Sequence, residues 1–430
     1  MIAESALKFT AGFRCLAKLE IIAGNHRMSG KREASFPLGT NVTADQLEQD
    51  PYAVYARLRP REPISWLPVT GMYYALTHEL VQQLLLDDIN FVVGWETSTV
   101  YDTFGLHMMS CEGIAARRQK RPLRASFLPS AIRQNLEPVV TGIANQLVDG
   151  FAGDCKIELR TSFASRLPIL VMLKLFGLPE TDEYLFRSWY DDFESALANE
   201  HFGPAIRSRG QQAVAAFHNH LQPVIDAARQ RPPDGTLLST LVHDGHDIKL
   251  SDEEIRRNAL IVMFGGISTV EALILNTLWI LAHHPNWLET ARCHPESLNA
   301  ILEESIRLIG PVQSATRLVA QDVKVAGVHL KKGDIINLIL SAANHDPAVF
   351  EAPDEFHPDR PNISRHLGFA AGPHLCLGMH LARTEGRIAL QKLFERLPGL
   401  AIDLTRTTAP LGTVFRQPQR LTLTWKHAIV

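Results

Sequence analysis

The sequence has few cysteines, and they are scattered. Cys15, Cys111, Cys155, Cys293 and Cys376 are odd in number and form no CxxC pair. Neither a disulfide framework nor a zinc site is suggested, and a reducing cytoplasm is the natural setting. No Walker loop and no GxGxxG occurs, so no nucleotide or flavin domain is attached. Charge of one sign is also lacking. A net charge of −3 gives no hint of nucleic acid or of a strongly acidic partner. Repeats and low-complexity tracts are absent.

Residues 1 to 30 carry Lys8, Arg14, Lys18 and Glu20 among short apolar runs. These runs are too short and too interrupted for a signal peptide or membrane anchor. Residues 1–45 are expected to be a poorly ordered extension, with Met28 an alternative start, and 46–430 to form one large domain. The one long apolar run, Ile261 to Ala282, could span a bilayer by length. Ser268, Thr269, Glu271, Asn276 and Thr277 interrupt it, which favours a buried central helix. No membrane is expected.

The chain reads as mostly α with a small β region. After position 51 come a helix, strands at Ile64–Trp66 and Tyr73–Leu76, and a second helix. Residues 91–113 look irregular. Residues 114–127 form a basic segment in which Pro122 suggests a kink or a late helix start. From about 130 to 285 the periodicity is overwhelmingly helical. Breaks fall at Gly177–Pro179, Arg231–Gly235 and His243–Lys249. Short strands follow at Arg317–Val319, Val323–Val325, Val328–Leu330 and Ile335–Leu338, with turns at Gly327 and Gly333. Residues 387–397 read as helix and 400–425 as strand-like. Strands at both ends around a helical middle suggest a small sheet built from N- and C-terminal pieces.

Chemistry concentrates in His366 to Arg383, HLGFAAGPHLCLGMHLAR. Cys376 stands just before a helical pattern, among unpaired backbone N–H groups and the positive end of a helix dipole. That setting favours a thiolate, the form that binds metal. Gly372 and Gly378 remove side chains on both sides, as a loop pressed against a flat macrocycle requires. The bland reading is a buried cysteine at a helix start. The functional reading is an axial thiolate ligand to haem iron. The spacing Phe369-x-x-Gly372-x-His374-x-Cys376-x-Gly378 closely resembles the haem-binding loop of the cytochromes P-450. The family has a second glycine where this chain has Ala370, and alanine fits there only if φ is negative or strain is tolerated.

The resemblance covers roughly residues 50 to 425 and implies the single-domain P-450 fold with haem b. Glu304 and Arg307 are an ordinary i,i+3 pair taken alone. The resemblance makes them the family's Glu-x-x-Arg, completed by Arg360, a structural triad bracing the cysteine loop. Gly265 and Gly266 inside a helix each cost about 1 kcal/mol relative to alanine. Close helix packing or a need for open space would repay that cost. The stretch is similar to the family's glycine-acid-threonine motif, which implies a widened helix over the haem and a role for Thr269 beside iron. Ser268 stands where the family has an acid, and a serine lacks a carboxylate's acidity. Glu271 should point elsewhere.

By motif match His374 and Arg317 are candidates for the haem propionates. In RRQKRPLRASF, Lys120 takes the place of the family's arginine, with Arg118 and Arg121 as alternatives, and Ala116 replaces an aromatic or histidine. The same basic face could be plainly solvated, or could dock an acidic iron–sulfur protein. His243-Asp244-Gly245-His246-Asp247 looks metal-like but has ordinary turn composition. His218 and His220 face different sides of a helix.

The implied activity is that of a soluble haem-thiolate monooxygenase, a cytoplasmic monomer. It would use O2 and electrons from ferredoxin and ferredoxin reductase to oxidise a small apolar or amphipathic molecule. By fold analogy, substrate contacts fall in 91–112, 185–207, Ile261, Gly265, Val312–Ser314 and Val414–Phe415. Ser268 keeps open a peroxide-using, coupling or rearranging enzyme of the same family. A haem-binding sensor or carrier is the alternative of another class.

Overall fold

The structure is a computed structural model that describes residues 32–95, 98–197, 203–243, 245 and 249–426. Five strands form the main sheet: β1 (Ile64–Leu67), β2 (Met72–Ala75), β3 (Phe91–Val92), β4 (Ser314–Val319) and β5 (Ile335–Ile339). Their spatial order is β1-β2-β5-β4-β3. The hairpin β1–β2 meets the C-terminal pieces through a parallel pairing of β2 with β5, Tyr73 opposite Ile336. β4 runs antiparallel to β5, and β3 closes the far edge with Phe91 opposite Val319. Every β1 side chain and most of β2 are buried, so these strands read as apolar runs rather than alternations.

The folded part begins earlier than the expected boundary at 46. Arg32 pairs with Asp334 at 2.7 Å and lies 4.8 Å over the Trp66 ring. Phe36 is buried edge-on to Tyr73, and the Leu38 and Gly39 N–H groups donate to Glu62. The expectation of poor order therefore fails for 32–45, because an apolar and a cationic anchor tie this segment to the sheet. Residues 1–31 lie outside the described residues.

Five helices build the site: α1 (Gly113–Arg124), α2 (Glu183–Leu197), α3 (Asp252–Ala282), α4 (Leu298–Leu308) and α5 (Met379–Arg396). Pro122 does not delay α1, which starts at Gly113 and runs through it. α3 opens with a reciprocal capping box between Ser251 and Glu254. It is apolar and long enough to cross a membrane, but 72% of its most apolar stretch is buried inside the fold. The largest core cluster packs around it.

Two local expectations are corrected. Residues 91–113 are not simply irregular, since they hold β3 and a helix at Thr99–Phe104 whose first turn is capped by Ser98. The helical middle is interrupted by a strand, Lys156–Glu158, paired with Thr422–Thr424, which also pairs with Ala401–Ile402. Three residues are too few to register as a period of two.

Candidate active site

Cys376 lies between the turn Gly372–His374 and Gly378, which caps α5. Its N–H donates to the Phe369 carbonyl at 3.1 Å. Ala370 has φ +59°, in the left-handed region. The loop thus keeps a glycine's backbone without the glycine, at a cost of about 1–2 kcal/mol. Strain is tolerated here rather than avoided.

The two flanking glycines have different causes. A Cβ on Gly378 would meet nothing within 4 Å, so one side of the loop is open. Gly372 has φ +71°, and a Cβ there would stand 2.8 Å from the Leu85 carbonyl. The helix His78–Leu86, not a flat ligand, forbids its side chain. Burial pushes the Cys376 thiol up, opposed by the Gly378 N–H and by Arg383. The helix start thus works against the burial of Cys376 without cancelling it.

Upstream of the loop in sequence, α4 carries a buried ionic cluster. Glu304 and Arg307 on α4 are both fully buried. The Glu304 carboxylate accepts from Arg307 at 2.7 and 2.8 Å, from Arg360 Nε at 2.9 Å and from the His357 N–H at 3.0 Å. Six more guanidinium N–H bonds go to the carbonyls of Asn344, Pro353, Glu351, Ala352 and Glu355. A buried charge survives when it is paired and its protons are satisfied, and both conditions hold. The neighbouring Glu303, which sequence reasoning passed over, takes Arg383 at 2.5 and 2.8 Å and His366 at 2.9 Å. Through Arg383 it ties α4 to α5.

The cationic residues sort themselves. Arg317 on β4 is buried, and its NH1 donates to the adjacent Thr316 carbonyl at 3.0 Å. Among the described residues no carboxylate pairs with it, and burial lowers its pKa to about 10. His374 is buried with Nε2 on Glu112 at 2.8 Å and Nδ1 unpaired. Glu112, also missed from the sequence, precedes α1 and accepts the Val93 N–H as well. Lys120 donates to the Pro373 carbonyl at 2.8 Å and ties α1 to the cysteine loop. Arg121 is half-buried on the same helix. Arg118 is removed from the set by its ion pair with Glu254 on α3.

On α3 each glycine answers to one of the two expected causes. A Cβ on Gly266 would lie 2.9 Å from Met172 Sδ, so this glycine serves packing. One on Gly265 would meet nothing within 4 Å, so this glycine leaves open space. The Thr269 hydroxyl donates to the Gly265 carbonyl at 2.7 Å, beside that space. Ser268 is buried on another side, its Oγ 2.5 Å from the Tyr190 hydroxyl of α2. The same hydroxyl lies 3.2 Å from the Phe264 carbonyl and accepts the Ser268 N–H at 3.3 Å. A side chain inserted at an i→i+4 step is a cause of local helix opening. Glu271 faces away, bound to Arg160 at 2.5 Å and to Gln417.

The residues present fit a haem. A buried guanidinium without an acid awaits an anion, and a buried imidazole nitrogen has no partner. Open space next to Gly265 and Gly378 leaves room beside α3 and beside the cysteine loop. Phe104, Tyr190, Phe193 and Phe264 are buried together near Gly265, with Tyr190 stacked on Phe264 at 5.2 Å. Val312 bridges Phe415, which packs on Phe264 at 6.1 Å. In the metal-like stretch, His243 bonds the Ala228 carbonyl, while Asp244, His246 and Asp247 lie outside the described residues. His220 pairs with Asp182. Parts of the expected substrate region, Glu96, Thr97 and 198–202, also lie outside them.

Comparison with known proteins agrees with this geometry. Residues 183–423 match the family model for cytochrome P450. The chain is 32% identical to cytochrome P450 monooxygenase PikC of Streptomyces venezuelae, covering 83% of this chain and 86% of that one. It is 29% identical to the biotin biosynthesis cytochrome P450 of Bacillus subtilis (strain 168), over 84% and 93% of the two chains. The solved structure of P450BioI in complex with hexadec-9Z-enoic acid ligated acyl carrier protein superposes with a TM-score of 0.81 at 28% identity. It covers 89% of this chain and all of that one.

Proposed function

Because this chain belongs to the cytochrome P450 family of haem-binding monooxygenases, we propose that it hydroxylates or epoxidises an apolar or amphipathic small molecule. Electrons would come from a separate ferredoxin and its reductase, since no flavin or nucleotide motif is present. The names of relatives acting in biotin and polyketide biosynthesis support a biosynthetic substrate. The observation that carries the reading is the Cys376 loop. Even with Ala370 in place of glycine, its backbone stays left-handed and its open side faces past Gly378.

Bound haem supplies the activation of dioxygen and the insertion of one oxygen atom into the substrate. Cys376 Sγ would hold the iron. Arg317, His374 Nδ1, Lys120 and Arg121 would hold the propionates, with Glu112 fixing the His374 ring. The structural triad Glu304, Arg307 and Arg360 would brace the cysteine loop from upstream, through its bonds to the segment from Asn344 to His357. The Thr269 oxygen, while donating to Gly265, still accepts from water and so keeps a proton donor beside the open space. The phenylalanine cluster around Phe264 excludes bulk water and favours apolar substrates.

The test is the carbon monoxide difference spectrum of the reduced protein beside Cys376→Ser. A red-shifted Soret band lost in the variant supports thiolate ligation. Its absence in intact, haem-loaded protein rejects it. Ser268, buried and without a carboxylate of its own, favours a second reading in which peroxide replaces oxygen and electrons. Turnover with hydrogen peroxide that exceeds turnover with a ferredoxin system would select that reading.

A further inference from the structure

Tyr190 is bound to α3 by more than packing. Its ring stacks on Phe264, with centroids 5.2 Å apart and planes 13° from parallel. Its oxygen accepts the Ser268 N–H at 3.3 Å. Its single proton goes to Ser268 Oγ at 2.5 Å or to the Phe264 carbonyl at 3.2 Å. Phe264 and Ser268 are the two ends of one i→i+4 step, so a hydroxyl from α2 stands within the hydrogen-bond ladder of α3. Burial pushes Tyr190 well above its ordinary range, so the hydroxyl keeps its proton. A second tie lies one turn away on each helix, where Arg187 of α2 reaches Glu271 of α3 at 3.7 Å.

The gripped step is the neighbour of the step that Thr269 closes. Gly265 and Thr269 follow Phe264 and Ser268 by one residue each, and the Thr269 hydroxyl donates to the Gly265 carbonyl at 2.7 Å. Ser268 and Thr269 face different sides of α3, so no proton passes between Tyr190 and Thr269; what they share is backbone. A peptide unit is planar and moves as one body. A hydroxyl that draws the Phe264 carbonyl aside therefore also moves the Gly265 nitrogen, and with it the residue whose carbonyl anchors Thr269. α2 also carries Phe193, which lies edge-on to Phe104 at 5.6 Å. The helix that grips α3 thus also supplies part of the phenylalanine cluster.

We propose that Tyr190 is a positioning residue for the face of α3 that carries Gly265 and Thr269: its hydroxyl wedges the Phe264–Ser268 step and so sets where the Gly265 carbonyl and the Thr269 hydroxyl stand. Without that hydroxyl, the Phe264 carbonyl and the Ser268 N–H are free to pair with each other. The step then closes, and the Thr269 hydroxyl shifts against the open space at Gly265. The part given to Thr269 rests on the monooxygenase reading above.

Tyr190→Phe tests this, because it keeps the ring and removes only the hydroxyl. The first readout is the infrared stretch of carbon monoxide bound to the reduced, haem-loaded protein, which reports the polar groups beside the gas without turnover. Tyr190→Phe should shift this band. Arg187→Met, which loosens α2 at Glu271 and leaves the hydroxyl in place, should not. An unshifted band in Tyr190→Phe overturns the proposal, and so does an equal shift in Arg187→Met, which would assign the effect to a general loosening of α2. The second readout is hydrogen peroxide released per NADH consumed with a surrogate ferredoxin and reductase. Tyr190→Phe should raise it about threefold, and Tyr190→Phe combined with Thr269→Val should release no more than Thr269→Val alone, since residues acting through one another are not additive. Additive release in the double variant overturns the proposal. A haem-loaded wild type without the red-shifted Soret band rejects the monooxygenase reading instead. The infrared band, which needs only reduced iron and bound gas, then still decides whether Tyr190 sets this face of α3.

Discussion

The Arg383 guanidinium stands 4.5 Å over the Phe369 ring while its N–H groups grip Glu303 at 2.5 and 2.8 Å. One side chain thus joins the first residue of the cysteine-loop pattern to α4. Burial alone would raise the Glu303 carboxyl, but Arg383 and His366 bring it down to about 2. A carboxylate depressed on folding stabilises the protein above its unfolded pKa, near 4.3, and loses that contribution as pH falls toward 2. Arg383→Met should therefore cost about 2 kcal/mol at pH 7, and the deficit should shrink between pH 4.5 and 2. Urea midpoints measured across that range check it; a deficit independent of pH would refute the coupling.

Ala370→Gly should stabilise the protein. The residue sits at φ +59°, where an L side chain costs about 1–2 kcal/mol and glycine costs little. Part of the gain is offset by the greater freedom of glycine in the unfolded chain, so a net gain of about 0.5–1 kcal/mol is expected. Thermal unfolding followed at the Soret band measures it. Ala370→Val should go the other way and lose haem more readily.

Arg317→Met should have opposite effects in the two states of the protein. Without haem it removes a buried guanidinium that has no carboxylate partner, so the apoprotein should gain about 1–2 kcal/mol. With haem it removes a partner for a propionate, so haem transfer to apomyoglobin should speed up. Equal destabilisation of both states would remove Arg317 from the haem-holding set.

Glu304→Gln should be far more damaging than its distance from the chemistry suggests. It leaves Arg307 and Arg360 buried without a counter-charge, and breaking such a pair costs about 3–5 kcal/mol. Little soluble haem-loaded protein is expected, and the ratio of Soret to protein absorbance after purification reports it.

Glu385 on α5 is buried, and neither of its carboxyl oxygens has a hydrogen-bond partner among the described residues. Burial pushes its carboxyl well above the ordinary range. A raised carboxyl contributes fully below its unfolded pKa, and that contribution is lost as pH rises through the folded value. Glu385→Gln should remove this loss, so the variant should exceed the wild type in melting temperature at pH 8 and converge with it near pH 4.

The parts of the site that were legible in the sequence are those written in a few consecutive residues. The loop Phe369–Gly378, the pair Glu304/Arg307 and the glycines of α3 each declare themselves through local spacing. The partners were not legible, because nothing local announces them. Tyr190 reaches Ser268 across 78 positions and Glu112 reaches His374 across 262. The fold class and most strands followed from apolar runs and turn residues. The strand Lys156–Glu158 did not, because its existence depends on Thr422–Thr424 at the far end of the chain. The left-handed Ala370 was posed by the sequence as a question that only backbone geometry answers.

The parallel pairing of Tyr73–Ala75 with Ile336–Leu338 has a consequence for biosynthesis. The two partners are about 260 residues apart, so at ordinary elongation rates β2 emerges from the ribosome about 13–50 s before β5 exists. Throughout that interval the hairpin Ile64–Ala75, rich in tyrosine, tryptophan and aliphatic side chains, has an unpaired edge. The helical middle can compact from local contacts while the chain grows, but the sheet must wait. Nascent chains arrested before residue 335 should therefore bind chaperones through the β1–β2 hairpin and let go once β5 clears the exit tunnel.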